Sequence, residues 1–291
     1  MKIVVGIATA GRRDLVGQVV SLFRHQTRLP ESVIICPATE HDYDSMANTD
    51  CPFPVQVVAG GKGLPLQRNL ILNAATDADV VVFFDDDFVC EENFLAELEA
   101  LFLKAPDIVV ATGNVIADGA RSIGITLDDA LAQVSSYGKL PPECLRPVFN
   151  AYGCNMAIRA NVVSANRLKF DEMLPLYAWW EDVDFSRQMA AYGKIMHSNR
   201  LVGVHMGSKS GRTPGQRLGY AQIANIVYMM QKGTVPLHLG TYRISMNLIA
   251  NAVRQFSPEP WVDRRGRFIG NMKAIADCLQ KPADPQKILT L

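Results

Sequence analysis

The sequence has no surplus of charge: 29 Lys and Arg balance 29 Asp and Glu, which removes any global electrostatic case for nucleic acid or another polyanionic partner. No apolar run approaches the roughly 18 residues of a spanning helix, so the chain is expected to be soluble or, at most, attached to a membrane surface. The strand-like run after Met1 meets Gly11-Arg12-Arg13 too soon to be a secretory leader. Six cysteines, at 36, 51, 90, 144, 154 and 278, form no CxxC pair and no zinc spacing; they read as reduced, mostly buried thiols of a cytosolic protein. Internal repeats and low-complexity tracts are also missing. What remains is 291 residues, 48% hydrophobic and only 20% charged, enough for a sizeable core and unlike a disordered chain.

One stretch organises the rest. Val80-Val81-Val82-Phe83-Phe84 reads as a buried strand of the kind found inside a parallel sheet, and it runs straight into Asp85-Asp86-Asp87. Two such charges about 5 Å apart repel by roughly 3 kcal/mol at an effective dielectric of about 20, so something must cancel them. Hard carboxylate oxygens at the carboxyl end of a strand, where α/β sheets bind ligands, suit Mg²⁺ or Mn²⁺.

Before this strand the pattern is β-α-β: a strand over Lys2 to Ala8, a helix from Asp14, a second strand from Ser32 to Cys36 and a short third from Val55 to Val58. The loop Gly60-Gly61-Lys62-Gly63 then leads into a helix through Gln67-Arg68-Asn69. After it, Glu91-Glu92-Asn93 opens a helix with Leu95, Leu98, Leu101 and Phe102 as its buried stripe, and Ile108 to Thr112 is a strand. From Ala117 to Pro147 one helical candidate, Asp128 to Ser136, sits among loops, a region suited to acceptor specificity. Tyr152 to Ile158 and Val202 to His205 read as strands, and the chain from Pro214 onward as helices: Pro214 to Lys232, Tyr242 to Phe256 and Arg267 to Leu279.

Three further groups carry chemistry. Trp179-Trp180-Glu181-Asp182 places carboxylates beside aromatic walls, which raises their proton affinity and suits a general base, while the tryptophans offer a platform for a sugar ring; a helix cap beside core aromatics is the plain alternative. His205 ends a strand and is a candidate third metal ligand, and Lys209 and Arg212 in the following Gly/Ser loop are candidates to hold a diphosphate. Arg68 either contacts a nucleotide or pairs internally with Asp85.

In this order, a strand ending in Asp85-Asp86-Asp87, a tryptophan-rich Glu181-Asp182 segment and then His205 resembles family 2 glycosyltransferases of the GT-A fold. The first-strand loop Thr9-Ala10-Gly11-Arg12 and the glycine loop before Arg68-Asn69 belong to the same pattern, and the match runs from Lys2 to about Arg212. The resemblance implies a Rossmann-like, mostly parallel central sheet flanked by helices, with residues 1–212 as catalytic domain and a helical C-terminal extension over 213–291. It implies an inverting transfer of a sugar from a nucleoside diphosphate to an acceptor hydroxyl in polysaccharide or glycolipid synthesis, the acceptor being a saccharide or lipid-linked. By the same resemblance Asp87, Asp85 and His205 hold Mn²⁺ or Mg²⁺, and Asp182 is the base. Thr9, Ala10, Arg12, Arg68, Asp86, Lys209 and Arg212 then line the nucleotide, with Trp179, Trp180 and Glu181 on the acceptor side.

The sequence departs from the family where many members place a base-reading aspartate after the second strand. Ile35-Cys36-Pro37-Ala38-Thr39 has none, and Asp42 and Asp44 come only later, so a uridine donor is a default. A sugar-nucleotide-forming nucleotidyltransferase and a non-catalytic nucleotide-sugar-binding protein are the competing readings. The C-terminal mixture of Arg254, Phe256, Trp261, Arg264, Arg265, Arg267 and Phe268 fits either helices packed on the catalytic domain or on a second copy, or an element at an anionic lipid surface. A cytoplasmic protein, with or without peripheral contact at the inner face of the plasma membrane, is the expected setting.

Overall fold

The computed structural model describes residues 1–211, 213–280 and 282–291. The first half alternates as the periodicity requires: β1 (Ile3–Thr9), α1 (Arg13–Leu22), β2 (Ser32–Pro37), β3 (Val55–Val57), α2 (Leu64–Ala74), β4 (Val80–Asp85), β5 (Phe88–Cys90) and α3 (Phe94–Lys104). The second half carries β6 (Ile108–Asp118), α4 (Leu127–Ser136), β7 (Leu145–Pro147), β8 (Asn155–Arg159), α5 (Ala160–Asn166), α6 (Glu181–Met189) and β9 (Lys194–His205). It closes with α7 (Gly215–Lys232), α8 (Leu237–Arg254) and α9 (Arg264–Gln280).

The strands form one sheet in the order β3-β2-β1-β4-β8-β6-β9-β5, with β7 on β9. The half from β3 to β4 is parallel, as expected for strands joined through helices. Beyond β4 the direction changes, because β8 enters antiparallel between β4 and β6, while β6 and β9 pair parallel. The layers are helix, sheet, helix, and β4 is the spine: Val80 to Phe84 are all 2% exposed or less. Alternate β4 side chains feed separate cores, Val80, Val82 and Phe84 on one face, Val81 and Phe83 on the other. Phe84 stacks between Phe23 (5.6 Å between centroids) and Phe88 (5.2 Å), so an aromatic floor fixes the strand just where the aspartates begin. On α3, Leu95, Leu98, Leu101 and Phe102 are buried as their spacing indicates.

Several boundaries differ from the sequence pattern. β6 runs to Asp118 rather than ending at Thr112, and β9 begins at Lys194 rather than Val202, because the two strands support each other over that length through register shifts that local periodicity does not show. The helix after the glycine loop starts at Leu64, with Pro65 in its first turn, and α8 starts at Leu237 rather than Tyr242. The short strands β5 and β7 and the helix α5 carried no readable signal. None of the six cysteines is paired; Cys36 and Cys154 are buried, and Cys144 is exposed. Among the described residues, no helix is long and apolar enough to cross a membrane.

The C-terminal helices are joined to the sheet domain by packing and by charge. Ile226 and Met229 of α7 pack with Leu174, Ala178 and Val183, and Tyr220 with Ala221 packs beside Trp179. At the end of α7, Lys232 reaches Asp171 (2.6 Å) and Asp184 (2.7 Å), the latter fully buried and also accepting from Thr234 Oγ1.

Candidate active site

The site lies where β1, β4, β6 and β9 end. Sheet register sets Asp85 beside Ala8 of β1, and sets His205 beside both Asp118 of β6 and Phe88 of β5. The three consecutive aspartates point to three different tasks.

Asp86 is buried and turned toward the first-strand loop, where Thr9 Oγ1 (2.6 Å) and Arg12 Nη1 (2.5 Å) donate to it. Burial raises its pKa to about 6 against the pull of Arg12. Asp87 is fully buried; its Oδ2 accepts the Ser208 backbone N–H at 2.7 Å and lies 3.2 Å from Arg12 Nη1. Burial would raise Asp87 too, but His205, Arg12 and Ser208 overcome it and hold the carboxyl at about 2. Asp85 is partly open, with Oδ1 3.5 Å from Arg68 and Oδ2 3.6 Å from His205 Nε2.

One oxygen of this cluster is left over. Asp87 Oδ1 is buried and accepts no hydrogen bond; His205 Nε2 is 3.3 Å away but not aligned to donate to it. Asp85, Asp87 and His205 each offer a ligand atom within 4.8 Å of the others. Two carboxylate oxygens and an imidazole, one oxygen orphaned in the core, fit a divalent cation such as Mn²⁺ or Mg²⁺.

Behind His205 stands a support that the sequence did not reveal. Asp118 Oδ1 lies 2.9 Å from His205 Nδ1, and Tyr152 OH donates to Asp118 Oδ2 at 3.1 Å. A carboxylate can only accept, so Nδ1 carries the proton and Nε2 faces Asp85 and Asp87. Burial lowers the imidazole pKa, but Asp118, Asp87 and Asp85 outweigh it and raise His205 to about 10. Asp118 lies in the part of β6 that periodicity missed, and Tyr152 lies in a loop; neither spacing nor composition marks them.

The first-strand loop and the loop after β9 are locked together. Arg12 donates to the carbonyls of Ser208 and Ser210 as well as to Asp86. Gly11 and Gly211 cross at the contact: a Cβ on Gly11 would sit 2.9 Å from Gly211 Cα, and one on Gly211 2.3 Å from the Ala10 carbonyl oxygen. Lys209 Nζ donates to the Gly119 carbonyl, and Ala10 is exposed at the rim. Arg212 lies outside the described residues.

Arg68 is buried among Phe83 and Phe170 and takes the internal alternative. It donates to Glu181 Oε1 (2.6 Å) and the Gly153 carbonyl (2.8 Å), and lies 3.5 Å from Asp85. Its neighbours on α2 do similar work: Gln67 binds the carbonyls of Thr9 and Cys36, and Asn69 that of Phe170. Glu181 is correspondingly buried, turned to Arg68 rather than to a solvent-side acceptor; burial raises it to about 8, with Asp182 and Asp85 adding to the shift against Arg68. Asp182 is half-buried, accepts the N–H groups of Gly153 (2.9 Å) and Val183 (2.8 Å), and has its proton affinity raised by loss of water. Trp179 packs against α7, while Trp180 adopts a left-handed backbone (φ 71°) at the start of α6 under Arg243. Leu176 and Ala178 share that left-handed conformation, so this segment stores strain beside the carboxylates.

Asp42, one candidate to replace a base-reading aspartate, is occupied within the protein: it accepts from Gly11 N–H and from the Thr39 N–H and hydroxyl. Asp44 pairs with Arg13.

No protein-family model matches the chain, and no curated protein matches it in sequence. Among solved structures it is similar to S. aureus TarS, with a TM-score of 0.52 and 15% identity over 89% of this chain and 44% of that one, less than half of its length. TarS 1–349 in complex with UDP-GlcNAc gives a TM-score of 0.52 at 14% identity, over 99% and 83% of the two chains. A mannosyltransferase from Pyrobaculum calidifontis, in complex with GDP-Man and Mn²⁺, gives 0.57 at 12%, over 96% and 86%. Likeness at these identities shows the fold, and the fold is GT-A.

Proposed function

We propose that the chain is a metal-dependent, inverting glycosyltransferase that moves a sugar from a nucleoside-diphosphate sugar to an acceptor hydroxyl, with UDP as the default carrier, in polysaccharide or glycolipid synthesis at the cytoplasmic side. The observation that carries this is the Asp85, Asp87 and His205 cluster with its orphaned Asp87 oxygen at the strand ends of a GT-A sheet. Similar folds have been solved with UDP-GlcNAc and with GDP-Man and Mn²⁺, which supports a nucleotide-sugar donor. In this reading residues 1–212 form the catalytic domain and 213–291 a helical extension.

Asp85, Asp87 and His205 would hold the cation, whose chemistry is to neutralise charge developing on a departing diphosphate. The chain's own contribution is positional. Arg12, through Asp86 and the Ser208 and Ser210 carbonyls, keeps the first-strand loop and the following Gly/Ser loop in contact around the nucleotide side. Lys209 and Arg212 are the cations of that loop. Asp182 is the one carboxylate of the Glu181-Asp182 pair that keeps solvent access, and its raised proton affinity suits removal of the acceptor hydroxyl proton. A single displacement with one base needs no covalent intermediate, so the sugar inverts. Trp180 lies next to this base and forms the acceptor-side wall.

Calorimetric titration of UDP, GDP and dTDP, each with Mn²⁺ and with chelator, tests the reading. One diphosphate is expected to bind only with the cation. Absence of binding by all three under both conditions overturns it.

A further inference from the structure

α8 packs inward through Ile244, which lies against both C-terminal apolar clusters, through Gly240, which meets Met230 and Ile226, and through Asn251, which bonds to Gln222 and Asn271. A second set of large apolar side chains points out. Tyr242, Met246, Ile249 and Val253 are 59, 46, 59 and 65% exposed, and their 4-3-4 spacing sets them on one stripe opposite Gly240 and Asn251, with the exposed Phe256 in the turn just after the helix. A continuous apolar face on a helix that has packing partners only behind it is an interaction surface.

Charge identifies what covers it. Residues 237–258 contain no Asp or Glu, and residues 237–273 carry six basic side chains against two acidic ones, in a chain whose net charge is zero. Of those two acids, Glu259 is held by Arg254 and Arg264. Arg265 and Lys273 are exposed, as are Arg243 over Trp180 and Arg254 in its pair with Glu259. A second copy of α8 would bring like-charged arginines to the seam in either orientation, which opposes self-association. An anionic lipid surface satisfies both features at once, apolar stripe into the acyl boundary and arginines toward the headgroups.

The position of α8 relative to the site gives this contact a use. Arg243, on the flank of the stripe, stands 5.6 Å above the Trp180 ring, and Trp180 immediately precedes Glu181-Asp182. We infer that α8 lies on an anionic phospholipid surface and so holds the tryptophan-lined acceptor side of the site at the membrane, where the acceptor is lipid-borne. The lipid-borne acceptor rests on the glycosyltransferase reading; the membrane contact itself does not.

Flotation of the full chain with phosphatidylcholine vesicles, with and without 30% phosphatidylglycerol (about that fraction gives a strong surface potential), tests it. Binding is expected only to the anionic vesicles, to fall as salt rises, and to drop at least about tenfold in Met246→Glu/Ile249→Glu. That double variant should keep its circular dichroism and its diphosphate titration. Asp182→Asn should float like the unaltered chain, so loss of transfer and loss of membrane contact are read separately. Failure to float with anionic vesicles, or equal flotation of the double variant, overturns the inference. So does a dimer mass by light scattering that becomes monomeric in the double variant, which would assign the face to a second copy.

Discussion

Arg68 Nη1 donates to Glu181 Oε1 at 2.6 Å across 113 residues of sequence, and the same guanidinium lies 3.5 Å from Asp85. One buried cation thus couples the acid cluster of β4 to the carboxylate pair at the start of α6. Removing it leaves the buried Glu181 Oε1 without its donor. Arg68→Met is expected to cost about 3 kcal/mol in urea denaturation, the scale of a broken buried pair, and adding Glu181→Leu should recover most of that loss. A double variant as unstable as the single one would show that Glu181 is not the partner that matters.

Asp182→Asn should lower turnover by ~10²-fold or more while leaving donor affinity within a few-fold, the usual signature of a lost general base. Steady-state rates beside calorimetric donor titration separate the two effects. Equal losses in both would place Asp182 in binding instead.

Cation binding should depend steeply on pH. His205 is raised to about 10, so below that pH the imidazole carries a proton that a cation must displace. Mn²⁺ affinity is therefore expected to rise about tenfold per pH unit between 6.5 and 8.5, with one proton released, as measured in buffers of different ionisation enthalpy. Asp87→Ala should abolish the binding; Mn²⁺ affinity that is flat with pH would remove His205 from the site.

Asp118 acts through His205. Asp118→Ala should weaken Mn²⁺ binding by about 10–100-fold, with Asp118→Asn, which keeps an acceptor for Nδ1–H, in between. Because Asp118 also holds the His205 proton, the pH dependence above should shift to lower pH in Asp118→Ala. A merely structural role would move neither.

The Asp171–Lys232–Asp184 contact should make stability pH-dependent at both ends. Burial opposes the Asp171 charge, but Lys232, the Met173 N–H and Tyr228 lower its pKa, so its contribution is present above the ordinary value of 3.8 and lost as pH falls through the depressed one. Burial likewise opposes the Lys232 charge, but its two carboxylates raise it, so its contribution is present below 10.5 and lost as pH rises through the elevated value. Lys232→Met should cost about 2–3 kcal/mol at pH 7, less than a fully buried pair because Lys232 keeps some water, and less below pH 4. Urea midpoints across pH read this directly.

The sequence alone determined what short-range periodicity can encode. The Val80 to Phe84 run specified a buried central strand, and Leu95, Leu98, Leu101 and Phe102 the inner face of α3, because burial on one side repeats at the period of the element. Three adjacent carboxylates at a strand end marked the candidate site, since their repulsion demands a partner. Tertiary structure decided which of the three faces which partner, for side chains at successive positions leave a strand end in different directions. It turned Arg68 inward, to residues 17 and 113 positions away. It inserted β8 antiparallel beside β4, and brought Asp118 and Tyr152 behind His205 through pairings that no local pattern announces. On α8 only packing showed that an apolar stripe faces outward, because periodicity defines a face and not what lies against it.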